Sequence, residues 1–436
     1  MAKRKTNEKT VEEVTGVTSV SLAENEEQKI ENQTNTTVIG PEISDKEKAS
    51  IEELGMAQEV VDEKIKQAFE TQSPKKKKKS TIINIVLLLV NLVFMAFIVS
   101  NLLKNVDGGN LEGVIKQQGN KLWWLAGGLL IYGLYVLVQV LMYYVLIKDL
   151  TGKKRFGLAY DVAILGKYYD NVTPFAVGGQ PMQIVRLFSS GISPAVSTGI
   201  PIIKMVANMS VNTILAVLFF VFGLPNIVEQ SVFNNLLLVL LEVLGVIGLI
   251  ITVVITVLIF LVSSGTLITR SLISFVLRIG YKLRIVKNYR ESYKKVLNQV
   301  AEYKVSFSYL WKNKKMFVKL LILCVFECLT YASMPYFVTM AFVGKVSIAP
   351  LMFLFICIVK YYLCAMASCF IPLPGGTGLM EISFIFLFGL VVGDNIVWAL
   401  LAWRILSYYM VIMHGFVHEI GHISKNFIKS RKKRVV

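Results

Sequence analysis

Seven long apolar runs constrain this chain more than anything else in it: Thr81–Asn101, Leu122–Ile147, Pro194–Gly223, Leu236–Val262, Met316–Val343, Ile348–Ile371 and Ile396–His422. Each is long enough to cross roughly 30 Å of hydrocarbon. A shorter run, Leu379–Gly393, adds one brief crossing. Hydrocarbon offers no partner to a backbone N–H or C=O, so such runs must satisfy their own hydrogen bonds as helices. The expected fold is an all-α polytopic membrane protein, a helical bundle of about eight spans. The hydrophobic share of 54% over 436 residues excludes a single water-soluble core.

Two stretches break the pattern. Pro372-Leu373-Pro374-Gly375-Gly376-Thr377-Gly378, followed by Glu381, places prolines and glycines where an apolar helix would resist them. Thr173-Pro174-Phe175-Ala176-Val177-Gly178-Gly179-Gln180-Pro181, followed by Arg186, does the same in a weakly hydrophobic region spanning residues 157–193. Irregular backbone at membrane depth is tolerated where protein or a wet cavity satisfies it, and paired interruptions point to a transport site. Either stretch read alone is also an ordinary turn. Residues 157–193 are expected to form a re-entrant hairpin or two short crossings.

The charge distribution supplies the topology. Residues 1–70 carry nine Lys/Arg against sixteen Asp/Glu, which leaves 37 basic and 13 acidic residues for the rest. Residues 1–79 are expected to be a disordered cytoplasmic arm, too poor in apolar side chains to order itself, ending in the lysine run 75–79. Segment 263–315 holds twelve Lys/Arg against Glu291 and Glu302, interleaved with Leu, Ile, Phe and Tyr. It reads as amphipathic helices lying on anionic lipid. A basic tail, 425–436, follows the membrane domain 80–424. Both termini are thus expected in the cytoplasm and the protein in the cell membrane. No nucleic-acid module accompanies the basic segment, so none is expected as a partner.

Charges inside spans mark functional sites by default. Lys204, Glu327, Lys360, Glu381, Arg186 and Arg404 stand out, with Glu381 the simplest partner for Arg404 or Lys360 and snorkelling the simpler account of Lys204. His414, His418 and His422 lie four apart, and His418–His422 fits H-E-x-x-H, in which two His bind zinc and Glu is a general base. A third ligand other than His414 is missing nearby, so a zinc hydrolase stands as a remote alternative and a polar helix end as the expectation. The five cysteines all lie in apolar runs and imply no disulfide framework.

Pro372–Glu381 (P-L-P-G-G-T-G-L-M-E) resembles the signature of the lysylphosphatidylglycerol synthase transmembrane, or flippase-like, family, and Thr173–Leu187 resembles that family's other recurring segment. The resemblance covers roughly residues 80–425. Gln180 departs from the Glu that many relatives carry, and no soluble aminoacyl-transferase domain is expected after the last span. The resemblance implies translocation of a lipid with a phosphate-bearing or polyprenyl-phosphate head group. Its lining would be Pro174, Gly178, Gly179, Gln180, Arg186, Lys360, Pro372, Pro374, Gly375, Gly376, Gly378, Glu381 and Arg404, with Arg404, Lys360 and Arg186 neutralising the phosphate. The alternatives are phosphatidylglycerol lysyltransfer, with the cationic-peptide resistance it brings, and a membrane accessory role for a glycosyltransferase. No catalytic residue, cofactor or resident metal is expected. Anionic lipids and the lipid substrate are the expected partners, with a homo-oligomer or a lipid-modifying enzyme left open.

Overall fold

The computed structural model describes residues 111–231, 236–264, 313–343, 348–369 and 373–435, together with residues 278, 292 and 371. The N-terminal arm with its lysine run, the span Thr81–Asn101, most of segment 263–315 and Pro372 lie outside the described residues, as do the side chains of the basic tail. The described elements are helical: α1 (Leu111–Gln118), α2 (Trp123–Thr151), α3 (Phe156–Val172), α4 (Gly179–Ser189), α5 (Pro194–Ser231), α6 (Leu236–Ser264), α7 (Lys314–Phe342), α8 (Pro350–Ser368), α9 (Leu379–Val392), α10 (Ile396–Arg404) and α11 (Met410–Val435).

Among the described residues six stretches are long and apolar enough to cross a membrane, from Glu112–Thr151 to Pro374–His422. The all-α polytopic architecture expected from the apolar runs is the one observed. The last stretch is folded: Gly393, at φ 67°, opens the turn Gly393–Asn395, and Phe384 and Trp403 on its two legs stack at 4.5 Å. The membrane-facing side of α6 is apolar and open. Val243, Ile250 and Val254 are each at least 50% exposed, an arrangement that water penalises and hydrocarbon does not.

Helix α7 runs through the middle of the bundle and packs against α2, α5, α8 and α10. One apolar cluster gathers α7 to α10 around Trp403, Phe384 and Tyr362, and a second gathers α2, α3, α4, α5 and α7 around Met142, Leu187 and Ile203. Region 157–193 forms a helix pair, α3 against α4, joined at Thr173–Gly178. At 1.5 Å per residue α4 is only about 16 Å long, too short to cross. The pair therefore enters the bundle and returns on the same side, and its tip lies inside.

Candidate functional site

The tip of this hairpin is stitched by its own residues. Thr173 Oγ1 donates to Tyr169 O at 2.7 Å and accepts from Gly178 N at 2.9 Å. Asp170 Oδ1 accepts from Gly179 N at 2.9 Å, so the carboxylate sits at the N-terminus of α4, where helix dipole and free amides favour it. Gly179 is required by space, since a Cβ there would overlap the Asp170 carboxylate and Gly166 O. Gln180, half-buried, directs Nε2 to Met205 Sδ on α5 at 2.5 Å.

The second break is held from a distance. Pro374 opens a tight turn in which Gly375, Gly376 and Gly378 all have positive φ, at 66°, 62° and 103°, a region where L side chains are strained. Arg404 Nη1 donates to Gly375 O at 3.2 Å, and Nη2 lies 2.6 Å from Glu381 Oε1. Glu381 Oε2 in turn accepts from Gly378 N at 2.6 Å. Arg404 and Glu381 are 3% and 2% exposed, so the pair is desolvated and serves to fix the turn. Tyr408, whose ring a Cβ on Gly375 would strike, donates its hydroxyl to Asn171 O at 3.0 Å and ties this break to the end of α3.

The two breaks touch. Ala176 from the first and Gly375 from the second line a cavity of about 320 Å³, together with Lys167 and Asp170 of α3, Asn208 and Asn212 of α5, and Glu327 and Tyr331 of α7. Glu327, 4% exposed, is the hub of its polar wall. Oε1 lies 3.3 Å from both Lys167 Nζ and Lys204 Nζ and accepts from Gln139 Nε2, while Oε2 accepts from Asn208 Nδ2 at 2.5 Å. Buried charge persists only where it is paired and hydrogen-bonded, and Glu327 has both. Lys204 is therefore paired in the interior instead of reaching for an interface. Lys167 keeps 28% of its side chain accessible beside the cavity.

The three cations expected to meet a phosphate have other neighbours. Lys360 Nζ donates to Leu387 O at 2.7 Å, Arg404 braces Gly375, and Arg186 reaches away from the breaks to Asp161 (3.2 Å) and Glu419 (3.0 Å). Arg186 belongs to a polar cluster at the open end of the α3–α4 hairpin, where His418 Nε2 lies 2.8 Å from Asp161 Oδ1. Burial pushes the Asp161 carboxyl up, but the His418 hydrogen bond and the Arg186 charge outweigh it and hold it below the ordinary carboxylate range. His414 places its two ring nitrogens 3.3 Å from Tyr132 Oη and 2.6 Å from Tyr160 Oη. The H-E-x-x-H residues thus engage neighbouring side chains, with Glu419 on Arg186. Among the described residues no three His, Cys, Asp or Glu converge as a metal site.

Lys167, Asp170, Asn208 and Asn212 were not among the residues expected at the site. Lys167 and Asp170 were visible as charges in a broken apolar region; the asparagines carry no signal beyond being polar in an apolar run.

These features define a multi-pass helical membrane protein with a re-entrant hairpin and a Pro/Gly turn meeting at an internal polar cavity. The family model described as the lysylphosphatidylglycerol synthase TM region matches residues 82–415, and the chain belongs to that family. No curated protein matches it in sequence.

Proposed function

We propose that this protein moves a lipid with a phosphate-bearing head group between the leaflets of the cell membrane, with the head group in the cavity between the two breaks and the tails in hydrocarbon. The observation that carries this reading is a cavity lysine on a shared carboxylate. Lys167 shares Glu327 with Lys204 and keeps part of its side chain accessible, while the Asp170 carboxylate, which balances the second lysine, accepts from the first amide of α4. A phosphate would compete with Glu327 for Lys167, and the Asn208 and Asn212 amides stand beside it as further donors. A wet cavity bounded by irregular backbone suits transport of a polar group at membrane depth. In this reading both termini and segment 263–315 face the cytoplasm, as the basic loops favour. The sequence carries no P-loop, so the driving force is a gradient or a sink at one leaflet.

The test is leaflet exchange in proteoliposomes with labelled phosphatidylglycerol, phosphatidylethanolamine and a polyprenyl phosphate. Faster exchange of at least one lipid than in protein-free vesicles is expected. Rates no faster than in protein-free vesicles for all three would remove the reading.

A further inference from the structure

Several proton-carrying groups stand between the cavity and the polar cluster at the hairpin's open end. Between them lies a second, small cavity of about 10 Å³, close to the room one water needs. Tyr132, Gln139, Lys167 and His414 line it, and Lys167 also lines the large cavity. Gln139 is 2% exposed and has one half of its amide on Glu327, while its Oε1 has no hydrogen-bond partner among the described residues. A buried acceptor of this kind beside a water-sized space calls for a water. On the far side His414 bridges Tyr132 and Tyr160, and the Tyr160 ring lies 5.4 Å from that of His418, which reaches Asp161. Asp161 and His418 keep 20% and 16% of their side chains accessible, so this end reaches the surface.

We propose that His414 is the central link of a proton path between the surface cluster Asp161–His418 and the cavity carboxylate Glu327. The imidazole takes a proton on the nitrogen facing the Tyr160 hydroxyl and releases one from the nitrogen facing the Tyr132 hydroxyl. The Tyr132 hydroxyl, which also donates to Met410 O at 3.3 Å, turns to a water held by Gln139 Oε1, and that water gives a proton to Lys167 as the Lys167 ammonium gives one to the Glu327 carboxylate. Each bond to hydrogen that breaks is matched by one that forms on the next group, so no other reactant is needed. Histidine suits the task because its two nitrogens exchange donor and acceptor roles, and chains of His and carboxylates inside membranes serve as proton relays. The charged or titratable groups around His414 come from three elements: Tyr132 on α2, Tyr160, Asp161 and Lys167 on α3, and His418 on α11 itself. Arg186 on α4 and Glu419 on α11 complete the surface cluster. The path goes beyond the lipid reading and does not depend on which lipid moves.

The experiment uses the full chain in vesicles of phosphatidylglycerol and phosphatidylethanolamine that enclose a pH-sensitive dye, with a pH step outside and a potassium ionophore to hold the potential. Proton flux and exchange of labelled phosphatidylglycerol are read on the same vesicles. Flux above protein-free vesicles is expected for the wild type. It should be lost in His414→Gln, which keeps hydrogen-bonding groups but cannot pass a proton, and in Tyr160→Phe, which removes the hydroxyl. Tyr160 is only partly buried, so its variant answers the question if His414→Gln does not fold. Wild-type flux no greater than in protein-free vesicles, or undiminished flux in both variants, overturns the path. Lipid exchange without flux sinks the path and leaves the lipid reading standing; flux without exchange supports the path and removes phosphatidylglycerol as the lipid moved.

Discussion

The first break is held by hydrogen bonds that each span nine positions or fewer, all on the α3–α4 hairpin, and its fixed charge is the single carboxylate of Asp170. The second is held by Arg404, 29 residues from the Gly375 carbonyl it grips, through a buried ion pair with Glu381. A locally stitched turn forms with its hairpin, whereas a remotely braced one exists only once α10 has docked. The first break is thus a fixed wall of the cavity, and the second is the wall whose position depends on the rest of the bundle.

That contrast is open to direct attack. Arg404→Ala should do the most damage, because it leaves Glu381 buried and unpaired; removing one partner of such a pair costs about 3–5 kcal/mol. A large fall in melting temperature in detergent is expected, with proteolytic cleavage appearing near residues 373–378. Glu381→Gln should be milder, since the amide still accepts from the guanidinium. Gly375→Val should follow at about 1–3 kcal/mol, from forcing a β-branched residue into positive φ against Tyr408. Asp170→Ala should lose only about 1 kcal/mol, the usual value of a helix cap. If Asp170→Ala melts as far below wild type as Arg404→Ala, the distinction between a local and a remote hold is wrong.

The smallest expected effect lies outside both breaks. Asp161 is held ionised in the folded state, so its contribution is present above the ordinary carboxylate value of about 4 and is lost as pH falls through the lower folded value. Melting curves from pH 6 to 3 should show a shallow acid loss that Asp161→Asn flattens. An identical slope in that variant would assign the acid loss to other groups.

The bundle was legible because length and apolarity alone dictate spanning helices, and the Pro/Gly stretches were legible because few other places tolerate them. That the two breaks share one cavity could only be suspected from their likeness. Which charges face the cavity was not legible, because a side chain's direction is set by how helices rotate against one another. Arg404 has the Glu381 partner that the sequence suggested, but packing turns the guanidinium onto Gly375 O as a brace and not onto a head group. Lys167, in a segment polar enough to pass for a loop, is the lysine beside the cavity. Lys204 and Glu327 were visible as intramembrane charges, but their pairing across 123 residues was not. The histidine repeat matched a metal motif because H-E-x-x-H specifies one helix face and is silent about what packs on it; here Tyr132, Tyr160, Asp161 and Arg186 do.

The central claim is that the head group is met by the cavity lysine and not by buried cations elsewhere, and one comparison tests it. Leaflet exchange of labelled phospholipid is measured in proteoliposomes holding equal amounts of folded wild type, Lys167→Ala and Lys360→Ala. Lys360 is the more buried of the two but donates to Leu387 O and does not line the cavity. The account predicts that Lys167→Ala loses exchange and Lys360→Ala retains it. Loss in Lys360→Ala with wild-type exchange in Lys167→Ala would contradict it.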